Sequence, residues 1–555
     1  MSEPDDGGLR PTTVSDLLAR RAADDSDGIV VDDLAWTWRA VVAESGRWAA
    51  ALDTLRPASG PFHIGVLLGN VPAYLFALFG AARIGAVVVG VNDTRRGNGL
   101  ARDVRHTHCV AVLTDASHAP LLAGLDLGST TVIDVDGTEW RHSLHTAPPV
   151  AAHTVRPEDL LLLLFTSGST SAPKAVKMSH GRAAGAATRS TWSTPDDVFY
   201  CAMPLFHGNA LNAIVLPALA SGATIALRER FSASQFMPDV RRYGATFFST
   251  VGRALAYILA TPPTSEDRSH RVKYALAPES SPRDMEAFEA RFGIVCVSGY
   301  GSSENAIIME PRPGLPKDAL GVPQAGLDAA VVDPETGVER DRARFDADGR
   351  LINGAEAIGE IVGRNVVGRF EGYYDNAEAE AERTRNGWYW SGDLGYQDDD
   401  GVFYFAGRSG EWLRVDSENF ATAPVERILG RFPGASGVAV FAVPDERTAD
   451  DQVMVALELT AGTTFDAEEF GRFLADQPDL GTKWAPRYVR ITTLPVGATN
   501  KVDKRPLRRE RWYTDDAIYW RPDPGAEYRL FTAEDLTALE ARFHDSGRAD
   551  AMERP

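Results

Sequence analysis

Leu160-Leu161-Leu162-Leu163-Leu164-Phe165-Thr166-Ser167-Gly168-Ser169-Thr170-Ser171-Ala172-Pro173-Lys174 is the stretch on which the fold turns. Residues 160–164 form a short, wholly apolar run, which reads as a buried strand. The run empties into a loop of small hydroxyl residues. A strand exiting into such a loop presents backbone N–H and side-chain O–H donors in one concavity, which suits phosphate oxygens. Lys174 adds a point charge. The spacing is not the G-x-x-x-x-G-K-[ST] phosphate loop, and a plain Ser/Thr/Gly linker has the same composition.

Outward from this strand the chain alternates. Strands are expected at 64–68, 86–91 and 110–113, with helices at 71–83 and 99–107. The rhythm returns over 199–297, with helix 209–220, strand 224–227, helix 232–243, strands 246–249 and 272–276, helix 282–292 and strand 295–298. Strands separated by helices of this length make parallel sheets. Residues 14–55 read as mainly helical, with Trp36, Trp38 and Trp48 in the packing, and 319–407 as rich in strand and glycine. After Gly407 the character changes to short strands at 437–443, 452–459 and 488–493, a helix at 467–474, and a charged tail with a periodic run at 535–543. That is a separate small α+β domain.

Composition narrows the function classes. At roughly 150 residues per domain, 555 residues allow three or four domains or subdomains and a large core. A formal charge of −20 repels nucleic acid and anionic lipid overall, so an anionic ligand must be met by a local cluster of donors. Three distant cysteines, Cys109, Cys201 and Cys296, argue against a disulfide scaffold or a structural zinc site. The acidic, polar N-terminus lacks the basic start and apolar run of a signal peptide, so none is expected. The apolar window 71–91 is long enough to span a bilayer, but Pro72, Arg83, Gly80, Gly85 and Gly90 break it into a core helix and a buried strand. A cytoplasmic protein is expected. Only seven basic residues are lysine, and four of them fall in 174–177 and 501–504, which points to roles for an amine there.

Three further segments can carry chemistry. Gly299-Tyr300-Gly301-Ser302-Ser303-Glu304 follows a strand, where open α/β sheets bind ligands. There an aromatic can stack on a base, a hydroxyl can reach a phosphate, and a carboxylate can hold Mg²⁺; a β-turn with a solvated glutamate is the plain alternative. In Trp390-Ser391-Gly392-Asp393 with Gly407-Arg408, the aspartate can accept ribose hydroxyls and the arginine can bridge ribose and phosphate, or both can sit in surface turns. Finally, Asn500-Lys501-Val502-Asp503-Lys504 closes a polar loop after a strand, which alone reads as an exposed turn.

In order and spacing, these segments resemble the adenylate-forming superfamily of acyl-CoA synthetases, luciferases and peptide-synthetase adenylation domains, over residues 17–508. Gly65–Asn70, Val91–Arg96, Pro204–Asn209 and Trp412–Phe420 further resemble the long-chain fatty acyl-CoA synthetases of the fatty-acid-transport-protein-like group. The resemblance implies an α/β fold with a large N-terminal domain of stacked α/β subdomains plus a β-rich subdomain, and a small mobile α+β C-terminal domain. It implies a disordered tail at 1–12, an adenylation domain at 13–409, a hinge at Gly410 and a mobile domain at 411–555.

The implied reaction joins ATP to a fatty acid as an acyl-adenylate, then transfers the acyl group to coenzyme A. Thr166, Ser167, Gly168, Ser169, Thr170 and Lys174 would cradle the β- and γ-phosphates, with Thr166 and Glu304 at Mg²⁺. Tyr300 would stack on adenine, lined opposite by Ala277, Pro278 and Glu279, while Gly301, Ser302 and Ser303 run beside the α-phosphate. Asp393 and Arg408 would hold the ribose, and Lys501 would bridge carboxylate and α-phosphate, with Lys504 a supporting surface residue. Phe206, His207 and Gly208 match an acyl-pocket element, although His207 can also be a packing histidine; Ser417, Glu418 and Asn419 belong to the face that admits the thiol. ATP, Mg²⁺ and coenzyme A are the implied cofactor set; peripheral membrane association and a homodimer are compatible with it.

Departures from the pattern are Ser171 and Ala175 in place of glycine, and Asn500 before the lysine. A Cβ at positive φ costs of order 1 kcal/mol or more, whereas asparagine tolerates that region. A ligase for a steroid side chain or another bulky acid, an enzyme that delivers its acyl group to a carrier protein, and an inactive binding or scaffold homologue remain as other readings.

Overall fold

The computed structural model describes residues 11–151, 153–165, 174–189, 193–312, 314–347, 349–366, 369–408, 412–415, 418–448, 450–481, 483–497, 500–523 and 525–552. The deciding strand, Leu160–Phe165, runs parallel to Val87–Gly90 inside a six-stranded sheet, with Ala175–Ser179 antiparallel at the edge. His63–Leu67, Cys109–Thr114 and Thr131–Asp134 complete it in parallel. These central strands are apolar on both faces because helices cover both. The helix Pro72–Ile84 is one of them. Proline starts it, Gly85 ends it at φ 67°, and nearly all its side chains are buried. A Cβ on Gly80 would stand 2.9 Å from the backbone N of Ala49, so only glycine lets helix Trp38–Asp53 pack this close. The apolar window is therefore a core helix. Among the described residues, no helix is long and apolar enough to cross a membrane.

A second sheet orders Val295–Val297, Tyr274–Leu276, Phe247–Ser249, Val198–Cys201, Thr224–Leu227 and Asp27–Val31 in parallel, with Leu34–Thr37 antiparallel at its edge. The segment 14–55 is mainly helical, at Val14–Arg20 and Trp38–Asp53, but the last pair adds a hairpin that the reading lacked. A β-branched run, Ile29-Val30-Val31, meets a tight turn with Asp32 at φ 50°, and the strand pairs with Thr224–Leu227, nearly two hundred residues away. The helix expected at 209–220 is also interrupted. A π-turn, Leu211–Val215, separates Gly208–Ala210 from Leu216–Ser221, because Pro217 has no N–H to give the carbonyl four residues back.

The third sheet is antiparallel and contains Met309–Glu310, Ala319–Pro323, Phe403–Arg408, Trp388–Gln397, Gly359–Gly363 and Ala329–Val332. The smaller C-terminal domain folds separately. Its five-stranded sheet runs Ala435–Pro444, Asp451–Leu459, Tyr488–Ile491, Ala517–Trp520, Arg529–Leu530, with helices Thr422–Leu429, Ala467–Ala475 and Ala533–Asp545 around it. The large α/β domain and small α+β domain match the expected fold class. The tail expected at 1–12 falls mostly on residues 1–10, outside the described residues. Cys109, Cys201 and Cys296 are buried free thiols.

Candidate active site

Three strands adjacent in the second sheet, Phe247–Ser249, Tyr274–Leu276 and Val295–Val297, end in three loops that therefore lie side by side. These loops hold Gly252 and Arg253; Ala277, Pro278 and Glu279; and Tyr300, Gly301, Ser302, Ser303 and Glu304. Loops beyond the carboxyl ends of parallel strands form the ligand crevice of open α/β sheets. Ala277 is buried, and Glu279 stands in the left-handed region at φ 62°.

The third sheet adds Asp393 and Arg408, direct register partners across Trp388–Gln397 and Phe403–Arg408. Asp393 is 2% exposed. Tyr300 donates its hydroxyl to Oδ2 of Asp393 at 2.5 Å, and Arg408 Nη1 lies 2.8 Å from Oδ1, an ion-pair contact without hydrogen-bond alignment. Burial raises the Asp393 carboxyl pKa, opposed by Arg408, and burial together with Asp393 pushes the Tyr300 phenol far up. Tyr300 and Arg408 thus already engage the carboxylate that the sequence assigns to ribose hydroxyls.

Glu304 is buried, and its Oε1 accepts from the Tyr373 hydroxyl at 2.8 Å. Arg383 Nε donates to the same hydroxyl at 3.4 Å and its Nη1 to the Trp390 carbonyl at 3.2 Å. Beneath the loop, the Arg182 side chain is only 9% exposed and ion-paired to Glu371 at 3.7 Å. It donates to the backbone carbonyls of Glu304 and Ser303. Arg182, Tyr373 and Arg383 are a supporting layer that sequence reasoning missed, because one arginine among fifty and a tyrosine after a glycine carry no distinguishing pattern.

On the first sheet's side, Lys174 Nζ is 3.1 Å from Glu382 Oε2 and 5.9 Å from the Tyr373 ring centre. Ala175 opens the strand Ala175–Ser179 with ordinary extended backbone, so its Cβ costs nothing. Asn70 pins the approach to the acyl-pocket element: its Nδ2 donates to the Met203 carbonyl at 2.7 Å and its Oδ1 accepts from Leu205 N at 2.9 Å. Phe206 is buried with its ring 4.6 Å from that of His207. Burial, and after it the charge of Lys501, pull the His207 imidazole down to about 4, so it is neutral at pH 7. Gly208 abuts Ser303; a Cβ there would lie 3.6 Å from Ser303 Oγ.

The C-terminal domain brings in Lys501. Its Nζ is 2.6 Å from Glu279 Oε1, and Asn500 before it takes φ 59°, as its tolerance of the left-handed region allows. The docking surface is Gly252, where a Cβ would fall 2.5 Å from the Asn500 carbonyl oxygen. Lys504 needs correction. It is no surface residue: its amine, 12% exposed, is 2.8 Å from Glu426 Oε1 and 3.1 Å from Thr422 Oγ1. Thr166, Ser167, Gly168, Ser169, Thr170, Ser171, Gly410, Ser417 and the side chains of Glu418 and Asn419 lie outside the described residues.

Among the described residues, no three His, Cys, Asp or Glu side chains gather as a metal cage. A lone buried carboxylate suits Mg²⁺, which is commonly held by one or two carboxylates together with substrate phosphates.

Comparison with known proteins follows the same outline. The AMP-binding enzyme family model matches residues 18–374. The chain is 48% identical over 550 residues to the steroid-22-oyl-CoA synthetase of Rhodococcus jostii (strain RHA1), covering 97% of this chain and 99% of that protein. It is 42% identical over 520 residues to the medium/long-chain-fatty-acid–CoA ligase FadD17 of Mycobacterium tuberculosis, covering 92% of this chain and 99% of that protein. The fold is similar to that of ATP-bound MatB from Rhodopseudomonas palustris, with a TM-score of 0.78, 22% identity, and coverage of 90% of this chain and 100% of the other.

Proposed function

This chain belongs to the AMP-binding enzymes, activating a carboxylic acid with ATP through an acyl-adenylate to make an acyl-CoA thioester, and on that premise we propose which residues do the work and which acid they act on. The observation that carries the proposal is Lys501 Nζ, from the C-terminal domain, 2.6 Å from Glu279 in the loop beside Tyr300 and Glu304. In the first half-reaction the nucleophile is already a carboxylate, so no base is required. The barrier is alignment of two anions that repel each other, and fixed positive charge lowers it.

In this reading Lys501 leaves Glu279 to bridge the attacking carboxylate and the α-phosphate. Tyr300 stacks on adenine against Ala277, Pro278 and Glu279, and Asp393 takes the ribose hydroxyls with Arg408 paired to its carboxylate. Lys174 and the loop from Thr166 to Thr170 hold the outer phosphates, and Ser303 meets the α-phosphate beside Gly208. Glu304 and Thr166 hold Mg²⁺, which when bound screens the triphosphate's negative charge. Arg182, Tyr373 and Arg383 fix Glu304. Neutral His207 and Phe206 border the acyl chain, and Ser417, Glu418 and Asn419 serve the thiol side after the C-terminal domain turns about Gly410. Gly410→Pro is expected to stall that turn, with adenylate formed in a first round and thioester output lost; unchanged turnover would remove the hinge.

For the acid, the proposal is a steroid side-chain carboxylate. It is supported by 48% identity across nearly all of both chains with a steroid-22-oyl-CoA synthetase. A long-chain fatty acid, the acid of the fatty-acid-transport-protein-like group, is the second reading, favoured by the 42% relative. Pyrophosphate release with a panel of acids from short-chain to steroidal, with and without coenzyme A, separates them. Steroidal acids are expected to exceed fatty acids in kcat/KM by roughly tenfold or more, the scale on which an apolar pocket discriminates shape. A reversed order selects the fatty acid, and release that no acid stimulates removes both.

A further inference from the structure

We propose that Arg253 is a positioning residue for adenylation, gripping the Lys501 loop at both of its ends across the domain boundary. The inference rests on the role given to Lys501 above. Arg253 follows Gly252 in the loop after strand Phe247–Ser249, and its side chain is 12% exposed. Its backbone N–H donates to the Asn500 carbonyl at 3.0 Å, one residue before the catalytic amine. Its guanidinium reaches the C-terminal sheet, with Nη1 2.5 Å from Glu458 Oε2 and Nη2 3.2 Å from the Ser436 carbonyl. That same Glu458 oxygen accepts the Leu494 N–H at 2.9 Å, where the lysine loop begins.

Between these two anchors the loop closes on itself. Gly497 N donates to the Lys501 carbonyl at 2.8 Å, and Val496 bridges Val502. Two glycines make room for the grip. A Cβ on Gly437 would come within 3.0 Å of the Arg253 guanidinium, and one on Gly252 within 2.5 Å of the Asn500 oxygen. One residue of the large domain thus holds both ends of the loop that carries Lys501, its backbone N–H on Asn500 and its guanidinium on Glu458. On the domain turn about Gly410 proposed above, the C-terminal domain carries this loop away after adenylation, so the grip is assigned to the first half-reaction and not to the second.

The test compares half-reactions in the full-length enzyme: acid-dependent pyrophosphate exchange for adenylation, and coenzyme A consumption of supplied acyl-adenylate for thioester formation. Arg253→Ala is expected to lower exchange about tenfold or more and leave the second half-reaction within about twofold. Glu458→Gln, which keeps an acceptor for Leu494 N, should lower exchange less. The double variant should be no worse than Arg253→Ala, because the two residues act as one unit, and Arg253→Lys should recover part of the loss. Equal losses in both half-reactions, or unchanged exchange, overturn the inference. Lys501→Ala in parallel keeps the two ideas apart. If it loses exchange while Arg253→Ala does not, only the grip fails; if it keeps exchange, the role of Lys501 fails and the grip with it.

Discussion

Lys501→Ala should reduce acyl-adenylate formation by about 10²–10³-fold, the cost of removing one preorganised charge donor from a site of developing negative charge. Thioester formation from supplied acyl-adenylate should be nearly unchanged, because that step starts after the two anions have been joined. The substitution is mild for the fold. Lys501 lies at the domain boundary, 43% exposed, and the loop's own hydrogen bonds run through the backbone of Gly497, Asn500 and Lys501. Circular dichroism and thermal melting should therefore match the parent. The measurement is the ratio of the two half-reaction rates. Parallel loss in both would mean that Lys501 shapes the crevice and takes no part in joining the acid to ATP.

Glu304→Gln is expected to lower adenylation by roughly 10²-fold and to raise the Mg²⁺ concentration needed for half-maximal rate. Glutamine keeps an oxygen to accept the Tyr373 hydroxyl, now at 2.8 Å from the carboxylate, so the substitution removes charge with little change of shape. Arg182 holds the backbone of the loop and does not depend on the side chain's charge. An unshifted Mg²⁺ dependence, whatever the loss of rate, would remove Glu304 as a Mg²⁺ ligand and leave it the role of ordering Tyr373 and Arg383. Titration of Mg²⁺ at saturating ATP is the deciding experiment.

Much of the framework is legible residue by residue. The run at 160–164 is a strand because nothing in it is polar, and it lies inside a parallel sheet covered on both faces. The helix from Pro72 to Ile84 announces its ends by proline and Gly85. What failed was governed by distant partners. The strand Asp27–Val31 exists because Thr224–Leu227 pairs with it, and local periodicity could not separate it from the helices on either side. Lys504 looks like a surface residue in a charged stretch, yet Glu426 and Thr422 on the helix that begins at Thr422 take its amine inside.

The sequence by itself determined the chemistry on offer: hydroxyl donors, a lysine-poor chain with amines in two places, an aromatic beside a carboxylate, and an α/β rhythm to display them. Those are matters of residue type and local spacing, and they survive without coordinates. Only the tertiary structure decided the company each group keeps. Tyr300 bonds Asp393, Tyr373 bonds Glu304, Arg182 lies under the loop, and Arg253 crosses to Glu458 and Asn500. Each of those contacts joins residues far apart in the chain, and hydrogen bonds of 2.5–3.4 Å depend on packing that no single segment encodes.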